Sequence, residues 1–111
     1  MDQLDRYREI VKQIINHHNR YKPSYGEIDQ YTIFDEKADR YLLISTGWHK
    51  EYRMYGCLIH MDIKNGKIWI EYDGTEYGIA KELLELGGLK QDIVLAFQHP
   101  SLRRHTEFAL G

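Results

Sequence analysis

The sequence predicts an α+β fold: a single domain with a mainly antiparallel sheet of about six strands, an N-terminal helix and a second helix after strand 4. Three observations lead there. Helical and alternating apolar patterns follow one another in the order α, four β, α, two β. Asn65-Gly66 stands between two alternating runs, which favours a two-residue hairpin turn with both central residues left-handed. The tract from Lys67 to Ala80 then reads as a strand breaking through a polar turn into a helix. With 111 residues there is material for one core, so residues 1–111 are taken as one domain.

Over residues 2–21, Leu4, Tyr7, Ile10, Val11, Ile14 and Ile15 recur at helical spacing, and Asp2 is available as the cap. Lys22-Pro23-Ser24-Tyr25-Gly26 ends this helix, because proline cannot continue it and glycine supplies the turn. Two strand-like runs follow, 27–34 and 40–46, joined by the charged hairpin connection Asp35-Glu36-Lys37-Ala38-Asp39. Leu42, Leu43 and Ile44 make the second run apolar on both faces, which places it inside the sheet.

Counting outward from Asn65-Gly66 sets Ile63 against Ile68, Met61 against Ile70 and Ile59 against Tyr72. This is the expected core face, extended by Tyr55 and Cys57. The same count pairs Asp62 with Trp69, His60 with Glu71 and Leu58 with Asp73 on a mixed face. Asp73 and Thr75 offer side-chain oxygens to the helix whose apolar positions are Ile79, Leu83 and Leu86. Gly87-Gly88 closes that helix. Residues 93–97 read as a short buried strand, 99–105 as a polar loop holding His99 and His105, and 106–110 as a last strand.

Composition narrows the functional classes. No apolar run is long enough to cross a bilayer, and no charged leader with an apolar core precedes the first helix, so a cytoplasmic location is expected. The lone Cys57 leaves no internal disulfide and no cysteine-rich zinc site. A net charge of -2 argues against broad, sequence-independent DNA binding, which depends on neutralising many phosphates. Nine Tyr and two Trp supply the residue types that concentrate at the centres of protein interfaces.

Three chemistries merit weighing against plainer readings. His17-His18 point apart on a helix and no histidine has a partner three or four residues away, so solvated histidines are favoured over a metal site, and no metal or other cofactor is expected. A magnesium-dependent nuclease would use Asp62 and Glu71, yet the register sets Asp62 against Trp69, and Tyr72 and Asp73 follow Glu71 where an acidic-x-Lys tripeptide is needed. Cys57 on the core face reads as an inert thiol. Lys90, Arg103 and Arg104 are the candidates for a local nucleic-acid contact, against the plain reading of a solvated basic loop.

The tract Tyr55-Gly56-Cys57-Leu58-Ile59-His60-Met61-Asp62-Ile63 resembles the XisI-like family, together with Gly66-Lys67-Ile68-Trp69-Ile70, Asp73-Gly74-Thr75-Glu76 and Gly78-Ile79-Ala80. The likeness extends through Tyr7-Arg8, Asp39-Arg40-Tyr41, Gly47-Trp48, Asp92-Ile93-Val94-Leu95-Ala96-Phe97 and Thr106-Glu107-Phe108-Ala109, nearly the whole chain. This family takes its name from the fdxN element excision controlling factor of filamentous cyanobacteria. The resemblance implies an accessory role in programmed excision of a DNA element, beside a recombinase and an XisH-like companion protein, with the strand chemistry left to the recombinase.

The leading expectation is therefore a non-enzymatic regulatory protein that binds the companion or the recombinase, with DNA contact indirect or weak. Its docking surface is expected on the mixed hairpin face with Leu58, His60, Trp69 and Glu71, extended by Trp48. Self-association into a homo-oligomer is compatible with such a surface. A direct DNA-binding recombination factor and a magnesium-dependent nuclease are the alternatives.

Overall fold

A computed structural model describes residues 2–22 and 26–111. The first helix, α1 (Gln3–Asn19), starts where Asp2 accepts a 2.8 Å hydrogen bond from the amide of Asp5. It buries Tyr7, Ile10, Val11, Ile14 and Ile15. The expected stop at Pro23-Ser24-Tyr25 lies outside the described residues. Then come β1 (Glu27–Asp35), β2 (Arg40–His49), β3 (Tyr52–Lys64) and β4 (Lys67–Asp73), followed by α2 (Ile79–Glu85), β5 (Ile93–Leu95) and the one-turn α3 (Pro100–Arg103). His49 is the last residue of β2.

The sheet order is β1-β2-β3-β4-β5, antiparallel except for the parallel β4–β5 pair. Two of the three hairpins have a local cause in their turns. Asn65 (φ 55°) and Gly66 (φ 74°) both take the left-handed conformation that the two-residue turn needs. In the β1–β2 turn the Asp35 carboxylate accepts hydrogen bonds from the amides of Lys37 and Ala38. Gly47 lets β1 approach β2, since a Cβ there would lie 2.0 Å from the Glu27 carbonyl oxygen.

The sheet has five strands, not about six. Among the described residues, the segment expected as a last strand, 106–110, is paired with the sheet by the single bridge Val94–Ala109. Side-chain bonds of Thr106 to the Arg103 carbonyl and the Phe108 amide hold that segment in turns instead.

The register departs from uniform alternation at two β-bulges. Between β2 and β3, Leu43 pairs with Ile59 and Ile44 with Cys57, leaving Leu58 as the extra residue. Between β3 and β4, Met61 pairs with Ile70 and His60 with Tyr72, leaving Glu71 as the extra residue. The pairs expected from a straight count, His60 with Glu71, Ile59 with Tyr72 and Leu58 with Asp73, are thereby corrected: His60 faces Tyr72 and Ile59 faces Asp73. The bulge at Leu58 also moves Cys57 to the face opposite Ile59, so Cys57 and the exposed Tyr55 leave the expected core face.

Helix α1 covers one sheet face. There Tyr41, Leu43, Ile59, Met61, Ile63, Ile68 and Ile70 form one core with the buried residues of α1, with Ile79 and Leu83 of α2, and with Ile93. Polar bonds lock the helix down at both ends. Arg8 clasps Asp39 with Nε–Oδ1 2.8 Å and Nη2–Oδ2 3.0 Å, and Tyr41 donates to the same carboxylate at 2.8 Å. The guanidinium holds the Asp39 carboxyl below its usual range, and burial beside that carboxylate raises the Tyr41 phenol. Beside Arg8, Tyr7 donates to Asp92 at 2.7 Å, and near the other end His18 meets Glu82 of α2 at 2.8 Å.

Candidate protein-docking face

Residues directly opposite one another on paired strands share a sheet face, so the register defines both surfaces. Rows on the side away from α1 run Glu27–Trp48–Arg53, Asp29–Thr46–Tyr55, Tyr31–Ile44–Cys57, Ile33–Leu42–His60–Tyr72 and Asp35–Arg40–Asp62–Trp69–Val94. Beyond β4, the C-terminal segment reaches Val94 and Trp69. Over β1, β2 and β3, and at Tyr72 near the end of β4, the face stays open. Tyr31 is 38% exposed, Ile33 46%, Trp48 49%, Tyr72 50% and Tyr55 75%. Five large apolar or aromatic side chains sharing one face make a patch rather than scattered surface residues.

The open face has polar structure as well. Asp62 is buried and joins two neighbours: His60 Nε2 at 2.8 Å and Arg40 Nη1 at 3.3 Å. His60 and Asp62 are two residues apart on one strand, so their side chains emerge on the same side. Alternation alone could have found this pair; the hairpin count directed attention to Glu71 instead. At the far corner the Arg53 guanidinium lies 5.3 Å from the Trp48 ring.

The five residues expected to form the docking surface do not all meet. Trp48 and His60 lie on the open face. Trp69 shares the face but sits at its covered border: its Nε1 donates to the Lys64 carbonyl at 3.2 Å, and Lys64 and Arg103 stack on the ring. Leu58 belongs to the helix side, where it packs against the core and lines a cavity of about 240 Å³ with His18, Gln30, Leu43 and Thr75. Glu71 is the other bulged residue, and one of its carboxylate oxygens is buried with no hydrogen-bond partner among the described residues. Tyr31, Ile33, Tyr55 and Tyr72 were not foreseen; the first two follow from alternation along β1, whereas the last two need the bulges.

The basic candidates are largely occupied within the fold. Arg103 donates to the carbonyls of Gln98, Ala96 and Leu110, tying the C-terminal segment together. Lys90 is ion-paired with Glu107, whose carboxyl it holds below the usual range. Arg104 is exposed. Among the described residues no group of three His, Cys, Asp or Glu side chains gathers closely enough to hold a metal ion. The Asp73 carboxylate instead bonds the amides of Thr75 and Ile79 at 2.8 Å each, and Thr75 Oγ1 accepts from Gly78, so these two residues cap the entry to α2. Burial raises the Cys57 thiol, which removes thiolate character.

The model of the XisI protein family matches residues 1–110. The chain belongs to the XisI family. Two solved structures agree with this membership. The fdxN element excision controlling factor XisI from Anabaena variabilis ATCC 29413 is 37% identical, with 99% of this chain and 100% of that one covered and a TM-score of 0.86. An XisI-like protein from the same organism is 33% identical, with 97% and 99% covered and a TM-score of 0.92. Comparison with curated proteins gives no match. The XisI relatives thus share the fold along essentially the whole chain. Among the described residues no helix is long and apolar enough to cross a membrane.

Proposed function

We propose that this XisI-family chain is a non-catalytic regulatory factor of DNA element excision, acting by binding a companion protein of the XisH-like kind through the open sheet face. The open aromatic patch carries the reading: Tyr31, Ile33, Trp48, Tyr55 and Tyr72 stay in water while the opposite face is sealed. A few aromatic anchors carry most of the energy of such an interface, and burying one at its centre contributes ~2 kcal/mol or more. The relative named an excision controlling factor supplies the process, and control rather than strand chemistry suits a surface built of aromatics. Direct DNA binding has less support, because Arg103 and Lys90 spend their donors on internal carbonyls and Glu107.

Co-expression with an XisH-like protein tests the reading. The tagged wild-type chain is expected to retain the companion through purification, and Trp48→Ala with Tyr55→Ala is expected to lose it while keeping the wild-type circular dichroism. Retention of the companion by that folded double variant would refute docking on this face.

A further inference from the structure

The two edges of the sheet are finished differently. At one edge β5 is three residues long, and its outer side is bridged by the C-terminal segment at Val94–Ala109, with the Ala109 amide donating to the Ile93 carbonyl at 2.8 Å. At the other edge β1 runs for nine residues in unbroken register with β2. Among the described residues, no backbone hydrogen bond joins β1 to anything but β2. Edge strands are ordinarily blunted by shortness, charged side chains, lysine above all, proline or a bulge, and of these β1 has only its acids. Residues Glu27–Asp35 contain no lysine and no proline, and neither bulge falls in the β1–β2 pair.

We propose that β1 is a pairing edge for an extended segment of a basic partner, which adds a strand to the sheet and extends the open face. The proposal rests on the docking reading above and specifies how the partner is held. Main-chain bonds along the edge would supply affinity, and the side chains of β1 would choose the sequence. On the open face β1 presents Glu27, Asp29, Tyr31, Ile33 and Asp35 in that order, all exposed. Among the described residues Glu27 and Asp29 take part in none of the ion pairs. The complementary antiparallel segment carries Lys or Arg against the acids and two apolar residues against Tyr31 and Ile33.

The same charges work against a second copy of this chain. The antiparallel register that sets Tyr31 against Ile33 of another copy also sets Asp29 against its Asp35, twice over. Like charges directly opposite are destabilising, so that register is disfavoured for a second copy while the edge remains open to a basic strand.

The test uses a blocked peptide, Lys-Thr-Ile-Thr-Ile-Thr-Lys-Thr-Lys, and its acidic counterpart with Glu in place of Lys, added to the full chain and followed by amide NMR. The basic peptide is expected to bind with shifts along β1, and the acidic one not to bind. Methylating alternate peptide amides is expected to abolish binding in one frame and spare it in the other, because only every second amide of an added strand faces the edge. Equal binding by both methylated frames would overturn strand pairing. The double substitution Glu27→Lys and Asp29→Lys, at exposed positions, is expected to weaken the basic peptide about tenfold or more and to favour the acidic one. Unchanged peptide preference would overturn the charge selection, and a dimer in sedimentation would make a second copy the occupant. If the lysine variant still captures the companion while Tyr55→Ala does not, the edge proposal falls and the face reading stands.

Discussion

On one side of the sheet Tyr41, Leu43, Ile59, Met61, Ile63, Ile68 and Ile70 are sealed beneath α1 and α2. On the other, Tyr31, Ile33, Trp48, Tyr55 and Tyr72 remain in water. Both sides are apolar enough to be a core, so hydrophobicity alone does not decide which one the helices choose. The sealed side is nearly free of charge at its centre, and its polar atoms, such as the Tyr41 hydroxyl, are bonded to Asp39. The open side interleaves aromatics with Arg40, His60 and Asp62, polar groups that are stable only near water or a polar partner. A face that is apolar but not dry suits reversible contact better than permanent burial.

The sharpest way to break this contrast is to truncate one residue on each side. Ile59→Ala, beneath α1, should lower the unfolding free energy by ~2–5 kcal/mol. Tyr55→Ala, on the open side, should change it by no more than about 0.5 kcal/mol. Urea titration measures both, and equal losses would mean that the two faces are equally buried.

Arg103→Ala should come next in size, costing ~1–3 kcal/mol, because the carbonyls of Ala96, Gln98 and Leu110 lose their donor. Hydrogen exchange of the Ala109 amide should quicken first, exposing the part of the far face around Trp69 that the C-terminal segment covers. Unchanged exchange would show that the segment is held by its apolar contacts alone.

The smallest effect depends on pH. Asp39 has its carboxyl lowered from 3.8 by Arg8, so the unfolded chain takes up this proton before the folded one does. The stability contributed by the clasp is fully present above the ordinary carboxylate range and drains away as pH falls through the lowered folded value. The stability gap between wild type and Asp39→Asn should therefore be widest above about pH 4 and narrow in acid. Thermal melts across that range read it, and a gap that widens in acid would contradict the assignment.

Much of the fold was legible because local chemistry and the global arrangement agree. The α1 stripe, the Asn65-Gly66 turn, the Asp73 and Thr75 caps and the Gly87-Gly88 exit each rest on neighbours in sequence. The bulges were not legible. Leu58 and Glu71 read as ordinary alternating residues, and only the competing pull of buried Ile59 and Met61 on both neighbouring strands makes one residue slip out at each place. That slip moved Tyr55, Cys57 and Tyr72 onto the open face and Leu58 off it, so the candidate surface was found in the right hairpin with part of its membership exchanged. The segment after β5 failed as a strand for a different reason: Thr106 bonds the Arg103 carbonyl and the Phe108 amide, and Arg103 takes the Leu110 carbonyl, side-chain bonds that compete with a sheet ladder and leave no trace in the apolar pattern.

The most direct test of the central claim is quantitative binding of an XisH-like companion to the wild-type chain and to the folded double variant Tyr55→Ala, Tyr72→Ala. Docking on the open face predicts a loss of about thirtyfold or more, the equivalent of ~2 kcal/mol, with thermal stability unchanged. Wild-type affinity in that variant would place the companion elsewhere on the molecule and contradict the account.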